Sequence, residues 1–133
     1  MKNIVDVCNT IVTDHRGDLI ISEFGDQFNF EIKRHYVLKN CSSEYSRGGH
    51  AHINLWQYFV CLVGSVEIVL FDGQLEYHRK LICSSQGVLV GPMIWRDLHN
   101  FSDDAVVSVL ASEIYSEDDY IRNKEQFERL VAT

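Results

Sequence analysis

The chain has 133 residues, 46% of them hydrophobic, with 12 Lys and Arg against 19 Asp and Glu and a formal net charge of −7. This length and composition predict one domain, residues 1–133, whose core needs no disulfides. The acidic balance argues against a nucleic-acid partner, because phosphate-backbone binding relies on clustered Lys and Arg. A small anionic ligand remains compatible, since a few arginines suffice to hold one diphosphate.

Cysteine usage and the N-terminus bear on the compartment. Cys8, Cys41, Cys61 and Cys83 are scattered and form no CxxC pair, which favours structural thiols in a reducing cytoplasm. Asp6 stands where a signal peptide would have its apolar core, and no stretch reaches the length of a membrane span. We therefore expect a cytoplasmic protein with no membrane partner.

The first part of the chain alternates short extended segments with polar turns. The segments run over Ile4 to Val12, Leu19 to Glu23 and Phe30 to Leu38, with turns at Asp14 to Asp18 and Gly25 to Gln27. In the third segment Arg34 and Tyr36 are two apart, so they are predicted to share one face of the strand.

The most informative stretch is Arg47-Gly48-Gly49-His50-Ala51-His52, which precedes the apolar run from Leu55 to Leu70. If it is a strand, His50 and His52 leave the same face, because side chains alternate with a period of two. The glycine pair allows the backbone to bend or a ligand to approach closely, and Arg47 adds a permanent cation. Two buried imidazoles need a partner for each nitrogen, so we interpret the pair as a functional site.

The rest of the chain continues the pattern of strands and then changes. Five further strands are predicted over Tyr58 to Val63, Val66 to Leu70, Leu75 to Ile82, Gly87 to Pro92 and Ala105 to Ala111. Their even spacing predicts an all-β sandwich or barrel. A short C-terminal helix is predicted from Ser116, as N-cap, because acidic residues follow it and apolar residues up to Val131 recur near helical spacing.

Several short motifs together carry a resemblance to a known family. They are Arg47 to His52, Gly64-Ser65-Val66, Gly91-Pro92 followed by Trp95-Arg96, Asn100-Phe101-Ser102, Leu110-Ala111-Ser112 and Asp119-Tyr120-Ile121-Arg122. With them the chain, from about Asp14 to Phe127, resembles the WxcM-like or FdtA-like sugar-nucleotide 3,4-ketoisomerases of the cupin superfamily. The resemblance implies a cupin-type small β-barrel or jelly roll, and a homodimer that exchanges an N-terminal strand.

The same resemblance implies an activity. Members convert dTDP-4-keto-6-deoxyglucose into its 3-keto isomer, on the way to 3-amino-3,6-dideoxy sugars of surface polysaccharides such as lipopolysaccharide O-antigen. Moving a carbonyl from C4 to C3 removes the C3 proton, passes through an enediol and delivers a proton to C4. Histidine suits this task because its pKa lies near neutrality, and no redox cofactor is needed since hydrogen only changes place.

Residue roles follow by position within the resemblance. His50 is predicted to act as acid–base at carbon and His52 as the relay at oxygen with Tyr36 as partner, although the two histidines could exchange roles. Arg47 is the electrostatic or phosphate-binding group. The other substrate-binding candidates are Arg34, Tyr45, Gln57, Trp95 and Arg96; for Arg34 a dimer edge, for Trp95 the barrel wall and for Tyr45 the surface are the structural alternatives.

A cupin would ordinarily suggest a metal. Metal-binding members follow the HxH pair with a Glu and a later His, but here Gln57 stands in the acidic place and Asp97 near that of the later His. Two His with one carboxylate fall short of the usual ligand set. We predict a site with no metal and no cofactor, with His99 as the side chain that could change this interpretation.

Three other function classes remain open at the level of sequence. A non-catalytic sugar-nucleotide-binding cupin would keep the arginines but need no paired histidines. A metal-dependent cupin would hold stoichiometric metal. A 3,5-epimerase-like cupin would also remove a proton next to a ketone.

Overall fold

The computed structural model describes residues 3–25 and 30–132 of the chain, and the predicted turn at Gly25 to Gln27 lies largely outside these residues. Short strands dominate the described part. They are β1 (Ile4–Cys8), β2 (Thr10–Asp14), β3 (Gly17–Ile21), β4 (Arg34–Lys39), β5 (Arg47–His52), β6 (Gln57–Val63), β7 (Val66–Phe71), β8 (Glu76–Leu81), β9 (Gln86–Val90), β10 (Trp95–His99), β11 (Val106–Ala111) and β12 (Tyr120–Ile121). A helix, α1 (Lys124–Val131), follows.

Two antiparallel sheets form the body of the fold. One has the strand order β1-β9-β6-β11-β4 and the other the order β12-β5-β10-β7-β8. Alternate residues of β7 and β11 are buried, and one apolar core joins side chains of both sheets, such as Phe59 and Val107 with Ile68 and Leu98. The all-β prediction is confirmed. The described strands pair only within their own sheets, so the fold is a two-sheet jelly roll rather than a closed barrel.

The predicted first extended run over residues 4–12 is wrong in one respect, because it breaks at Asn9. The Asn9 side chain is buried and accepts hydrogen bonds from the Tyr58 hydroxyl at 2.6 Å and the Ser22 hydroxyl at 2.7 Å. These bonds hold the chain where β1 leaves its sheet. Strands β2 and β3 then form a separate two-stranded hairpin.

The predicted helix also begins later than expected. Ser116 precedes a single 3-10 turn, Glu117–Asp119, and its side chain makes no capping bond. Helix α1 starts after Asn123, whose side chain accepts from the Gln126 backbone N–H. Local capping chemistry predicted the earlier start, but Tyr120 and Ile121 pair with β5 instead, and this long-range pairing prevails.

Helix α1 supports the strand that carries the two histidines. Phe127 is fully buried and packs with Ala51, Trp95 and Ile121 in a small apolar cluster. Ala51 lies between the histidines in sequence, so its side chain leaves the opposite face of β5. The helix therefore covers the back of the candidate site. Among the described helices, none is long and apolar enough to cross a membrane.

Candidate active site

Strand β5 places the predicted histidines side by side. The rings of His50 and His52 lie 4.8 Å apart between centroids and nearly perpendicular to one another. Opposite residues of an antiparallel pair share a face, and His50 lies opposite Arg96 of β10 while Arg47 lies opposite Leu98. In a regular strand, Arg47 and His50 would point to opposite faces because they are three positions apart. A β-bulge at this point inserts one extra residue into β5. Arg47 and His50 therefore face the same side.

The glycine pair makes this bulge possible. Gly48 and Gly49 have φ angles of +95° and +70°, and a Cβ on Gly48 would lie 2.7 Å from the carbonyl oxygen of Arg96. Glycine is the residue that tolerates both the left-handed backbone and this close approach. The sequence motif thus encodes the local backbone as well as the side chains.

A cavity of about 310 Å³ opens in front of His50 and lies between the two sheets. Its wall includes Tyr36, His50 and three arginines, Arg34, Arg47 and Arg96. No carboxylate of the described residues belongs to that wall. In a chain of net charge −7, such a local excess of cations favours an anionic ligand.

A buried chain of hydrogen bonds determines whether the Tyr36 hydroxyl donates or accepts. Arg96, 1% exposed, donates from Nη1 to Gln57 Oε1 at 2.8 Å, and Gln57 Nε2 lies 3.0 Å from the Tyr36 hydroxyl. Arginine can only donate, so the amide of Gln57 must present its NH₂ group to Tyr36. The hydroxyl oxygen accepts this bond and its own proton is free for a ligand. Burial raises the pKa of Tyr36, so the hydroxyl keeps that proton.

The histidines are neutral at pH 7. Burial and then the Arg96 cation lower the pKa of His50 to about 4 and the pKa of His52 to about 2. His50 Nδ1 and His52 Nε2 are buried nitrogens without a hydrogen-bond partner among the described residues. A buried, unpartnered nitrogen is unfavourable in the free protein, so both are available to a bound molecule.

Two residues of the site were given no role at the sequence level. Asp119 contacts His52, with 3.1 Å between Oδ2 and Nδ1. The Tyr120 ring packs against both imidazoles, at centroid distances of 4.8 Å to His50 and 4.4 Å to His52. The motif Asp119-Tyr120 was part of the resemblance, but its contact with residues far away in sequence carries no local signal. Arg34 and Tyr120 also border a second cavity, of about 410 Å³.

Two predicted substrate-binding residues lie away from the cavity. Trp95 is 6% exposed and packs on Phe127 at 5.8 Å between ring centroids, as expected if it forms part of the wall of the fold and does not bind substrate. Tyr45 is 70% exposed and is absent from the cavity wall. The structure therefore does not bring either side chain to His50.

The donor set does not fit a divalent metal ion. No group of three or more His, Cys, Asp or Glu side chains in the described ranges is arranged to hold one. Gln57 Oε1, in the place of a ligand, already accepts a bond from the Arg96 guanidinium, and a second cation beside it would be repelled. His99 lies an odd number of positions from Arg96 on β10, so its side chain leaves the other face of that strand.

Comparisons with known proteins agree with this geometry. Residues 2–132 match the family model described as FdtA: WxcM-like, C-terminal. The TDP-4-oxo-6-deoxy-alpha-D-glucose-3,4-oxoisomerase of Aneurinibacillus thermoaerophilus is 40% identical over 121 residues, which is 91% of this chain and 87% of that protein.

Solved structures give the same picture. A 3,4-ketoisomerase from Helicobacter canadensis is 37% identical with a TM-score of 0.91, and the match covers 98% of both chains. A histidine-to-asparagine variant of the 3,4-ketoisomerase QdtA from Thermoanaerobacterium thermosaccharolyticum, in complex with TDP-4-keto-6-deoxyglucose, is 34% identical with a TM-score of 0.92, covering 98% of this chain and 95% of that one.

Proposed function

The chain belongs to the FdtA family and is a sugar-nucleotide 3,4-ketoisomerase, and from this premise we propose that it converts dTDP-4-keto-6-deoxyglucose into the 3-keto isomer by a metal-free histidine–tyrosine proton shuttle. The observation that carries the proposal is the cavity itself. It combines neutral His50, protonated Tyr36 and three arginines in one wall. Acid–base chemistry next to a ketone needs an acceptor, a donor and stabilisation of the developing negative charge.

The first half of the reaction forms the enediolate. His50 takes the proton from C3, the C3–H electrons form a C3=C4 double bond, and the C4 carbonyl oxygen becomes an oxyanion. Tyr36 faces the cavity with its hydroxyl proton free, which suits it to donate a hydrogen bond to that oxygen. The diphosphate of the substrate adds negative charge near Arg34 and Arg47. This charge offsets the arginine field and raises the pKa of His50 toward the range in which an imidazole exchanges protons readily.

The second half returns the protons to different atoms. The oxygen on C3 loses its proton as the C3 carbonyl forms, and C4 receives a proton from protonated His50. His52 accepts the proton of the C3 hydroxyl and passes it to the oxyanion on C4. Nothing is oxidised or reduced overall, so the chemistry needs no external hydride carrier.

The test is proton NMR of chelator-treated protein with dTDP-4-keto-6-deoxyglucose in deuterated water. We expect a 3-keto product from the wild type and from His78→Asn, a control at an exposed histidine. His50→Asn and His52→Asn should lose roughly 10²- to 10⁴-fold in rate, the usual contribution of a positioned acid–base group. Turnover only after adding a metal, or unaltered turnover by both variants, would contradict the proposal.

The assembly we propose is a homodimer that exchanges an N-terminal segment. Strand β1 pairs with β9 of its own sheet, so the exchanged element is the β2–β3 hairpin, which joins neither large sheet. Ile11, Val12, Leu19 and Ile20 of this hairpin are exposed large apolar residues, and burial against a second copy would remove them from water. Light scattering should give twice the chain mass, and Leu19→Asp with Ile20→Asp should give monomers; a monomeric wild type would refute the dimer.

The place of the reaction in metabolism follows from its product. A 3-keto sugar is the substrate class of an aminotransferase, which supports a role before 3-amino-3,6-dideoxy sugars of surface polysaccharide. The described cysteines are free thiols, which suits the reducing cytoplasm. We expect the NMR product to be aminated at C3 when a sugar-nucleotide aminotransferase and its amino donor are added.

A further inference from the structure

Asp119 is held in one orientation behind His52. Its Oδ1 accepts from the Asn54 backbone N–H at 2.8 Å and its Oδ2 from the Leu55 N–H at 3.3 Å. Oδ2 also lies 3.1 Å from His52 Nδ1, with the Asp119 side chain 15% exposed and His52 1% exposed. A carboxylate with several fixed partners inside a protein cannot rotate freely.

This contact determines which nitrogen of His52 carries the proton. An ionised carboxylate only accepts hydrogen bonds, so His52 Nδ1 must be the protonated nitrogen. The ring is neutral, and its Nε2 is therefore an unprotonated acceptor. That same Nε2 is buried and has no partner among the described residues, although nearly all buried polar atoms in proteins are paired. The arrangement leaves Nε2 as the one acceptor of the His52 ring that is available to a ligand.

We propose that Asp119 is a positioning residue that fixes the tautomer of His52, so that Nε2 accepts a proton from an oxygen of the reacting sugar. The use of Nε2 rests on the proposed function, but the tautomer itself does not. In the step, the O–H bond on C3 of the enediolate breaks and an Nε2–H bond forms. The resulting imidazolium lies beside the Asp119 carboxylate, which stabilises it until the proton passes to the other oxygen.

Asp119→Asn is a sharp test because the amide has the same shape. The shorter of the two backbone bonds, from Asn54 N, keeps the amide oxygen at the Oδ1 position. The NH₂ group then faces His52 Nδ1 and donates to it. His52 would have to move its proton to Nε2, which turns the acceptor into a donor. Asp118→Asn is the matched control, since it removes the same charge one residue away on an exposed side chain.

The first readout is ¹⁵N NMR of protein labelled in histidine, with His52→Asn used to assign the signals. In the wild type near pH 7 we expect a protonated Nδ1 and an unprotonated Nε2 for His52, and the reverse in Asp119→Asn. The measurement needs no substrate, so it stands even if the protein has a different activity. A wild-type His52 protonated at Nε2 would overturn the proposal, whether or not the variant folds.

The second readout is the rate of ketoisomerisation. We expect kcat of Asp119→Asn to fall at least about tenfold and by no more than the roughly 10²- to 10⁴-fold that an acid–base group itself contributes, with KM nearly unchanged. Asp118→Asn should keep both constants. A reversed tautomer with wild-type kcat would show that His52 takes no part in proton transfer, while absence of turnover in the wild type would refute the proposed function and leave the tautomer assignment intact.

Discussion

Replacing Gln57 by Glu should inactivate the enzyme without unfolding it. The carboxylate would accept from Arg96, now 2.8 Å from the Gln57 amide oxygen, and would form a charge-assisted bond worth about 1.5–3 kcal/mol. That gain offsets the desolvation of the new carboxylate. Because a carboxylate cannot donate, Tyr36 would turn its hydroxyl proton toward the introduced side chain. The donor that faces the cavity would be lost.

The expected decrease in kcat follows from the removal of one hydrogen-bond donor that would stabilise the developing oxyanion. Such a loss lowers kcat by about 10²- to 10³-fold, or about 3–4 kcal/mol. Thermal unfolding should give a Tm equal to or above that of the wild type. The same substitution at exposed Gln74 is the control and should change neither quantity.

A double-mutant cycle with Tyr36→Phe separates the lost donor from the neutralised Arg96 charge. If the donor is the cause, Gln57→Glu adds little once Tyr36 is Phe. A folded Gln57→Glu variant with kcat within about twofold of wild type would refute the reasoning, since the loss of one hydrogen-bond donor to an oxyanion lowers kcat far more than that. Fully additive losses in the cycle would instead assign the effect to the charge.

The remaining predictions concern stability. Gly48→Ala should lower the free energy of unfolding by at least about 2 kcal/mol in urea titrations, because it forces a side chain into a positive φ against the facing strand; Gly25→Ala, in open space, should change it little. Phe127→Ala should cost about 3–5 kcal/mol by leaving a cavity behind the histidine strand, whereas Leu130→Ala, at a half-exposed position, should cost under about 1 kcal/mol. Since the folded pKa of His50 is lowered to about 4 from 6.5, the unfolded state binds more protons between these values, and stability falls by up to about 3 kcal/mol as pH drops from 6.5 to 4. His50→Asn should remove that part of the pH dependence, and identical curves for both proteins would contradict it.

Most of the fold could be predicted because the relevant signals are local. Alternating burial in β7 and β11 follows the sequence pattern directly, and the spacing of His50 and His52 placed both rings on one face. The failures come from contacts distant in sequence. The predicted start of the helix was wrong because Tyr120 and Ile121 pair with β5.

The missing parts of the site have the same origin. Asp119 reaches His52 across 67 positions, and no pattern near either residue predicts the contact. Gln57 was predicted as a pocket residue, but its bond to Arg96 spans 39 positions. From the sequence one can name candidate reactive side chains, whereas the residues that set the direction of their hydrogen bonds become visible only when strands from both sheets are packed together.

The bond between Arg96 and Gln57 joins the two sheets that carry the proposed proton donor and the proposed proton acceptors. Gln57 and Tyr36 belong to one sheet, while Arg96 and the histidines belong to the other. The proposed donor and the proposed proton acceptors therefore face each other across the core, and this bond fixes one sheet against the other at the cavity.

The amide at position 57 also leaves the buried Arg96 cation without a carboxylate partner within residues 3–25 and 30–132. A glutamate there would be the more stabilising neighbour for Arg96, yet it would cancel the cation's field and reverse the Tyr36 hydroxyl. In the proposed mechanism both features serve a reaction that develops negative charge on oxygen, since a fixed cation and a fixed donor stabilise that charge without rearrangement. On this mechanism, stability is given up at one buried position because the arrangement stabilises the transition state and not the free protein.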